Sequence, residues 1–95
     1  MILKPEVVRV LEREQRVCEM AIGRLEERVR PFERQYGWST GQFLKKFNNG
    51  EAGDDKSFFL WYALAEATQD WQQTCESLKE LLDSAELDSA ELVSA

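Results

Sequence analysis

The 95 residues suffice for one small domain, and their net charge of −6 with a pI near 4.7 argues against nucleic acid phosphates or anionic lipid as main partners while suiting a basic protein. Histidine is absent, which removes the commonest general acid–base group and the commonest metal ligand. Apolar residues at 43% with a mean hydropathy of −0.49 describe a soluble amphipathic helical protein, and no apolar run approaches the ~18 residues of a membrane span.

The first helix is predicted to begin near Lys4 or Pro5, because the missing N–H of a proline costs nothing in a first turn. Its stripe runs Val8, Leu11, Gln15, Cys18, Ile22, Leu25, Val29, Phe32 and Tyr36, in alternating steps of three and four, apolar but for Gln15 as the stripe of the third helix is but for Thr68. That spacing keeps one narrow seam turned toward a partner helix. Gly23 beside the seam is read as a place of close backbone approach. Pro31 is the difficulty, since an internal proline removes a hydrogen bond and clashes with the preceding turn at about 3 kcal/mol. The stripe nevertheless passes through it in register, with Pro31 on the outer face, so a kinked helix to about Tyr36 is expected, and a break at Arg30 is the alternative.

Gly37 is expected to end this helix as a left-handed cap. Trp38-Ser39-Thr40-Gly41-Gln42-Phe43 then fits a helix start: Ser39 as N-cap, Gln42 completing a capping box, Trp38 and Phe43 as a hydrophobic staple. The short middle helix should bury Phe43, Leu44 and Phe47 and stop at Asn48-Asn49-Gly50. Asp54 or Asp55 caps the third helix, which starts near Lys56. Its stripe is Trp61, Leu64, Thr68, Trp71, Cys75, Leu78 and Leu82. Beyond it lies a tandem repeat, DSAEL-DSAEL, whose carboxylates oppose the helix dipole, so a fraying extension or a mobile tail is expected.

The fold expected is all-α: an antiparallel long-helix hairpin over residues 1–83 with a short connecting helix, followed by an acidic tail over residues 84–95. Matching the two stripes makes facing residue numbers sum to about 93, which pairs Phe32 with Trp61, Ile22 with Trp71 and Cys18 with Cys75. So small a core rarely suffices alone, and apolar positions flank the seam at Val7, Val10, Val17, Ala21, Phe58, Tyr62 and Ala65. A homodimer resembling a four-helix bundle, or a complex with a partner, is therefore expected.

No catalytic signature is present. Glu51, Asp54 and Asp55 cluster in one loop, but their spacing is not that of a calcium loop, and helix capping explains them. Cys18 and Cys75 sit on the stripes as small apolar residues and do not fill a zinc site. The start turns charged too early for a secretory signal, so a cytoplasmic protein with free thiols is expected. The arginines of the first helix are interleaved with glutamates, as on a solvated face. Neither metal nor cofactor is expected. The most promising functional feature is the aromatic group between Trp38 and Tyr62, because aromatic anchors dominate interface energetics, although a packed helical corner uses the same residues.

Residues 36–67, YGWSTGQFLKKFNNGEAGDDKSFFLWYALAEA, carry Tyr36, Gly37, Ser39, Phe43, Gly50, Glu51, Gly53, Asp54, Asp55, Phe58 and Trp61. This pattern resembles one in small prokaryotic helical proteins that are encoded beside ribonuclease-like toxins and taken to be their antitoxins. Trp38 stands where a smaller apolar residue is usual, and Leu60 where an acidic one often precedes the Trp. The resemblance implies a non-enzymatic module that binds and neutralises a small basic toxin. The residues then expected to face the partner are Trp38, Phe43, Phe47, Glu51, Asp54, Asp55, Phe58, Phe59 and Tyr62. The alternative is a homodimeric helical scaffold, or an acidic adaptor, unrelated to toxins.

Overall fold

A computed structural model describes the backbone of residues 3–94 and the side chains of residues 3–85. It contains three helices and, among the described residues, no strand: α1 (Pro5–Tyr36), α2 (Thr40–Asn48) and α3 (Lys56–Ser94). The long pair forms an antiparallel hairpin and α2 fills the corner between them, giving a rod of 61 × 22 × 17 Å.

Local chemistry accounts for the boundaries. Pro5 occupies the first turn of α1, and Gly37 at φ 70° closes the helix with its N–H donating to the Glu33 carbonyl. A side chain at that φ would be strained, which is why glycine suits it. Pro31 lies within α1 on an exposed position, and the helix continues to Tyr36 rather than breaking at Arg30. The Ser39–Gln42 capping box forms in both directions. Of the two candidate caps for α3, Asp55 is the one used: its carboxylate accepts from the N–H and the hydroxyl of Ser57 at 2.9 and 2.8 Å.

Three separate pairs set the hairpin register. Phe32 stacks on Trp61 with ring centroids 5.6 Å apart, Tyr36 Oη lies 2.9 Å from Ser57 Oγ, and the Cys18 and Cys75 thiols are neighbours. Each pair of residue numbers sums to 93, the value matched from the stripes. Val29 and Leu64, the next such pair, share the core cluster. Thr68, the polar interruption of the third helix, turns its hydroxyl back onto the Leu64 carbonyl at 2.8 Å and so brings no unpaired donor to the seam.

Two expectations need correction. Nothing comes within 4 Å of a Cβ built at Gly23, so no backbone closely approaches there. Phe58 and Ala65 are buried rather than spare flanking positions, because α2 folds back over that side of α3 and covers them. The tail differs in a smaller way. Its backbone continues α3 to Ser94, and Ala85 is still buried; the side chains of the repeat from Glu86 onward lie outside the described residues.

Candidate protein-interaction surface at the helical corner

Trp61 is the centre of the corner. It is 0% exposed and lies parallel to Phe43 with centroids 4.0 Å apart, while Phe32, Tyr36 and Trp38 stack around it. The staple expected between Trp38 and Phe43 is thus made through Trp61, because the indole of Trp61 reaches between α1 and α2. A buried indole needs a partner for its N–H. Trp61 Nε1 donates to Thr40 Oγ1 at 3.1 Å, and Thr40 passes its own hydroxyl and backbone N–H to Glu33 Oε2 at 3.1 and 2.9 Å. One short relay therefore ties all three helices. Thr40→Val keeps the shape and removes the acceptor, and it should lower unfolding free energy by about 1–3 kcal/mol in urea denaturation, the cost of a buried unpaired donor.

The residues expected to face a partner divide into three groups. Phe43 and Phe58 are interior, at 0% and 4% exposure, and have no surface to offer; they hold the corner instead. Trp38, Phe47 and Tyr62 are half-buried. Phe47 stacks on Tyr62 with centroids 4.6 Å apart, and Lys46 sits over the Trp38 ring at 5.3 Å. Phe59, Glu51, Asp54 and Asp55 are exposed. Phe59 is the outlying ring, 65% exposed with the edge of Phe47 beside it, and its neighbour Leu60 is 48% exposed. Leu60 was absent from the expected surface. Its position one residue before the seam residue Trp61 is the signal that points outward.

Among the exposed carboxylates Asp55 has a structural task. Hydrogen bonds from the Ser57 backbone N–H, then the Ser57 hydroxyl, then the Tyr36 hydroxyl hold it below the ordinary carboxylate value of 3.8. A lowered folded value means that its contribution is complete above 3.8 and is lost as pH falls through the folded value. Asp55→Asn should therefore weaken the chain at neutral pH and flatten the acid limb of its stability, read as thermal midpoints by circular dichroism followed down through the carboxylate range. Glu51 and Asp54 have no such task among the described hydrogen bonds and remain available as charges. Tyr62 is tied by its hydroxyl to Glu66, whose hydrogen bond and charge push the phenol up.

Charge is unevenly placed along the chain. Helix α1 carries seven arginines against seven carboxylates, with Lys4 just before it, and the segment from Gly37 to Asp55 carries two lysines against three carboxylates. Helix α3 carries two lysines against eight carboxylates, so the chain's net −6 equals the net charge of this one helix.

On the side of the hairpin where α2 docks, a cleft of about 440 Å³ opens between the helices, floored by Val29, Leu44 and Ala65 and edged by Glu26, Arg30 and Gln72. Sequence periodicity did not indicate it, because α2's docking side creates it. Farther along the seam, burial pushes the Cys75 thiol up, with the adjacent Cys18 thiol and the charge of Glu19 adding to the effect. Both cysteines are free; the raised Cys75 thiol is a poor nucleophile at neutral pH and Cys18 is buried, so they pack rather than react. Among the described residues no helix is long and apolar enough to cross a membrane, and no cluster of three or more His, Cys, Asp or Glu could hold a metal ion. Compared with protein-family models, curated proteins and solved structures, the chain matches none of them, so its function is argued from the corner itself.

Proposed function

We propose that this protein is a non-catalytic, antitoxin-like interaction module that binds and neutralises a small basic ribonuclease-like toxin in the cytoplasm of a prokaryotic cell. The observation that carries the reading is the exposed ring of Phe59, set beside Leu60 on a rigid aromatic corner and close in sequence to the uncommitted carboxylates Glu51 and Asp54. An exposed phenylalanine on a stiff support is an anchor that loses little entropy on docking. The resemblance of residues 36–67 to antitoxin-like proteins supplies the class of partner. Carboxylates of the loop and of α3 lie opposite the toxin's cationic RNA-binding surface, so inhibition works by occupancy and charge complementarity. In this reading the chain acts as a homodimer whose long helices form a four-helix bundle.

A homodimeric scaffold or acidic adaptor without a toxin is the second reading, favoured by the exposed valines of α1 far from the corner. The deciding experiment titrates the purified chain with the product of the gene beside its own, measuring binding, RNA cleavage and growth rescue. Tight binding with loss of cleavage supports the antitoxin; a neighbour that is neither toxic nor bound leaves the scaffold.

A further inference from the structure

Among the described residues, nothing covers the side of the hairpin opposite α2. In an antiparallel helix pair, the positions just before the seam on one helix lie on the same side as those just before the seam on the other. On α1 these positions and their outer neighbours include Val7, Val10, Val17 and Ala21; on α3 they include Leu60, Ala63, Ala67 and Leu81. The other side is the one α2 occupies, as the cleft edged by Glu26, Arg30 and Gln72 shows. On this side the valines of α1 and Leu60 are exposed, with Val10 at 52% and Val17 at 43%.

We propose that this side is covered by the same side of a second copy, related by a two-fold axis along the rod, so that each α1 lies against the partner's α3. The proposal deepens the homodimer in the reading above and does not depend on a toxin. Two observations select this arrangement over one that sets α1 on α1 and α3 on α3. The first is charge: all of the net charge is on α3, so α3 against α3 brings like charges together, while α3 against the nearly neutral α1 does not. The second is register. A two-fold axis along the rod preserves height, so each α1 residue meets the partner's α3 residue at the same level, again with numbers summing close to 93. Val17 then meets the groove along Thr74, Ser77 and Leu81, a hollow of about 510 Å³ whose small side chains leave room for it. Val10 falls between the partner's Leu81 and Ser84. Arg24 falls one residue from the level of the partner's Asp70, and both are exposed and on this side. The same axis makes every neighbouring helix pair antiparallel, the arrangement in which helix dipoles attract.

The full chain, alone and without any partner protein, is followed by sedimentation equilibrium at low to tens of micromolar. A dimer is expected. Val17→Glu changes an exposed residue, so helical circular dichroism should stay unchanged while the dissociation constant rises by about 100-fold, because each dimer buries two new carboxylates. Arg24→Asp and Asp70→Arg should each weaken self-association by about 10-fold, since both contacts of the dimer become repulsive. Mixing the two variant proteins should restore association to within about threefold of the original, because the mixed pair has matched charges at both contacts. That rescue cannot come from a contact inside one chain. A monomer at tens of micromolar overturns the proposal, as does a dimer indifferent to Val17→Glu. Loss without rescue on mixing overturns the α1-on-α3 arrangement. Because no toxin is present, none of these outcomes bears on toxin binding.

Discussion

Replacing Trp61 by alanine should remove about 3–5 kcal/mol of unfolding free energy, which is most of what a domain of this size possesses. The residue is fully buried, stacks on Phe43, Phe32, Tyr36 and Trp38, and donates its indole N–H to Thr40. Removing it opens a cavity bordered by all three helices, and those helices cannot close the gap without breaking the register that Cys18 and Cys75 also hold. Trp61→Phe retains a ring against Phe43 and loses the hydrogen bond and part of the volume, so it should fall between wild type and alanine. Urea denaturation followed by far-ultraviolet circular dichroism measures both. A Trp61→Ala loss under about 1 kcal/mol would mean that the corner is not the core of the molecule.

The second large effect concerns partner binding. Phe59→Ala combined with Asp54→Ala should weaken binding to the neighbouring-gene product by about 100-fold at low salt while leaving the helical signal and the urea midpoint nearly unchanged. Truncating an interface anchor costs about 2 kcal/mol or more. The carboxylate adds a contribution that shrinks as salt screens it, so Asp54→Ala alone should slow association more at low than at high ionic strength. Phe59 is the cleaner probe than Tyr62, whose ring supports Phe47 and whose hydroxyl holds Glu66. Phe43→Ala or Phe58→Ala would confuse binding with folding, since both rings are interior. Undiminished binding by the folded double variant would move the interface away from the corner. The cleft beside α2, with Glu26 at its edge, is then the next surface to probe.

The helix ends were legible because each depends on residues within one turn. Gly37, the Ser39–Gln42 box and the Asp54-Asp55 pair state where the chain starts and stops helices, whatever packs on them later. The hairpin register was legible for a related reason: two stripes of matching length, joined by a short segment, leave one alignment in which every stripe position finds a stripe partner. Choosing Asp55 over Asp54 was harder, because either can precede a helix, and the choice fell to the residue that Tyr36 of a different helix also holds.

By itself, then, the sequence determined an all-helical hairpin, its caps and its pairing level, since these follow from periodicity and near-neighbour hydrogen bonds. Only the tertiary structure decided which aromatic rings face inward. Trp61 is on the seam, but Phe58, Phe59, Leu60 and Tyr62 around it point to the other sides of the helix, and periodicity does not say which of those sides is covered. The side on which α2 docks settles them: it buries Phe58, half-covers Tyr62, and leaves Phe59 and Leu60 in solvent. That side follows from where the Trp61 indole finds its acceptor on Thr40 and where Glu33 can reach the start of α2, contacts between different helices that no periodicity within one helix encodes.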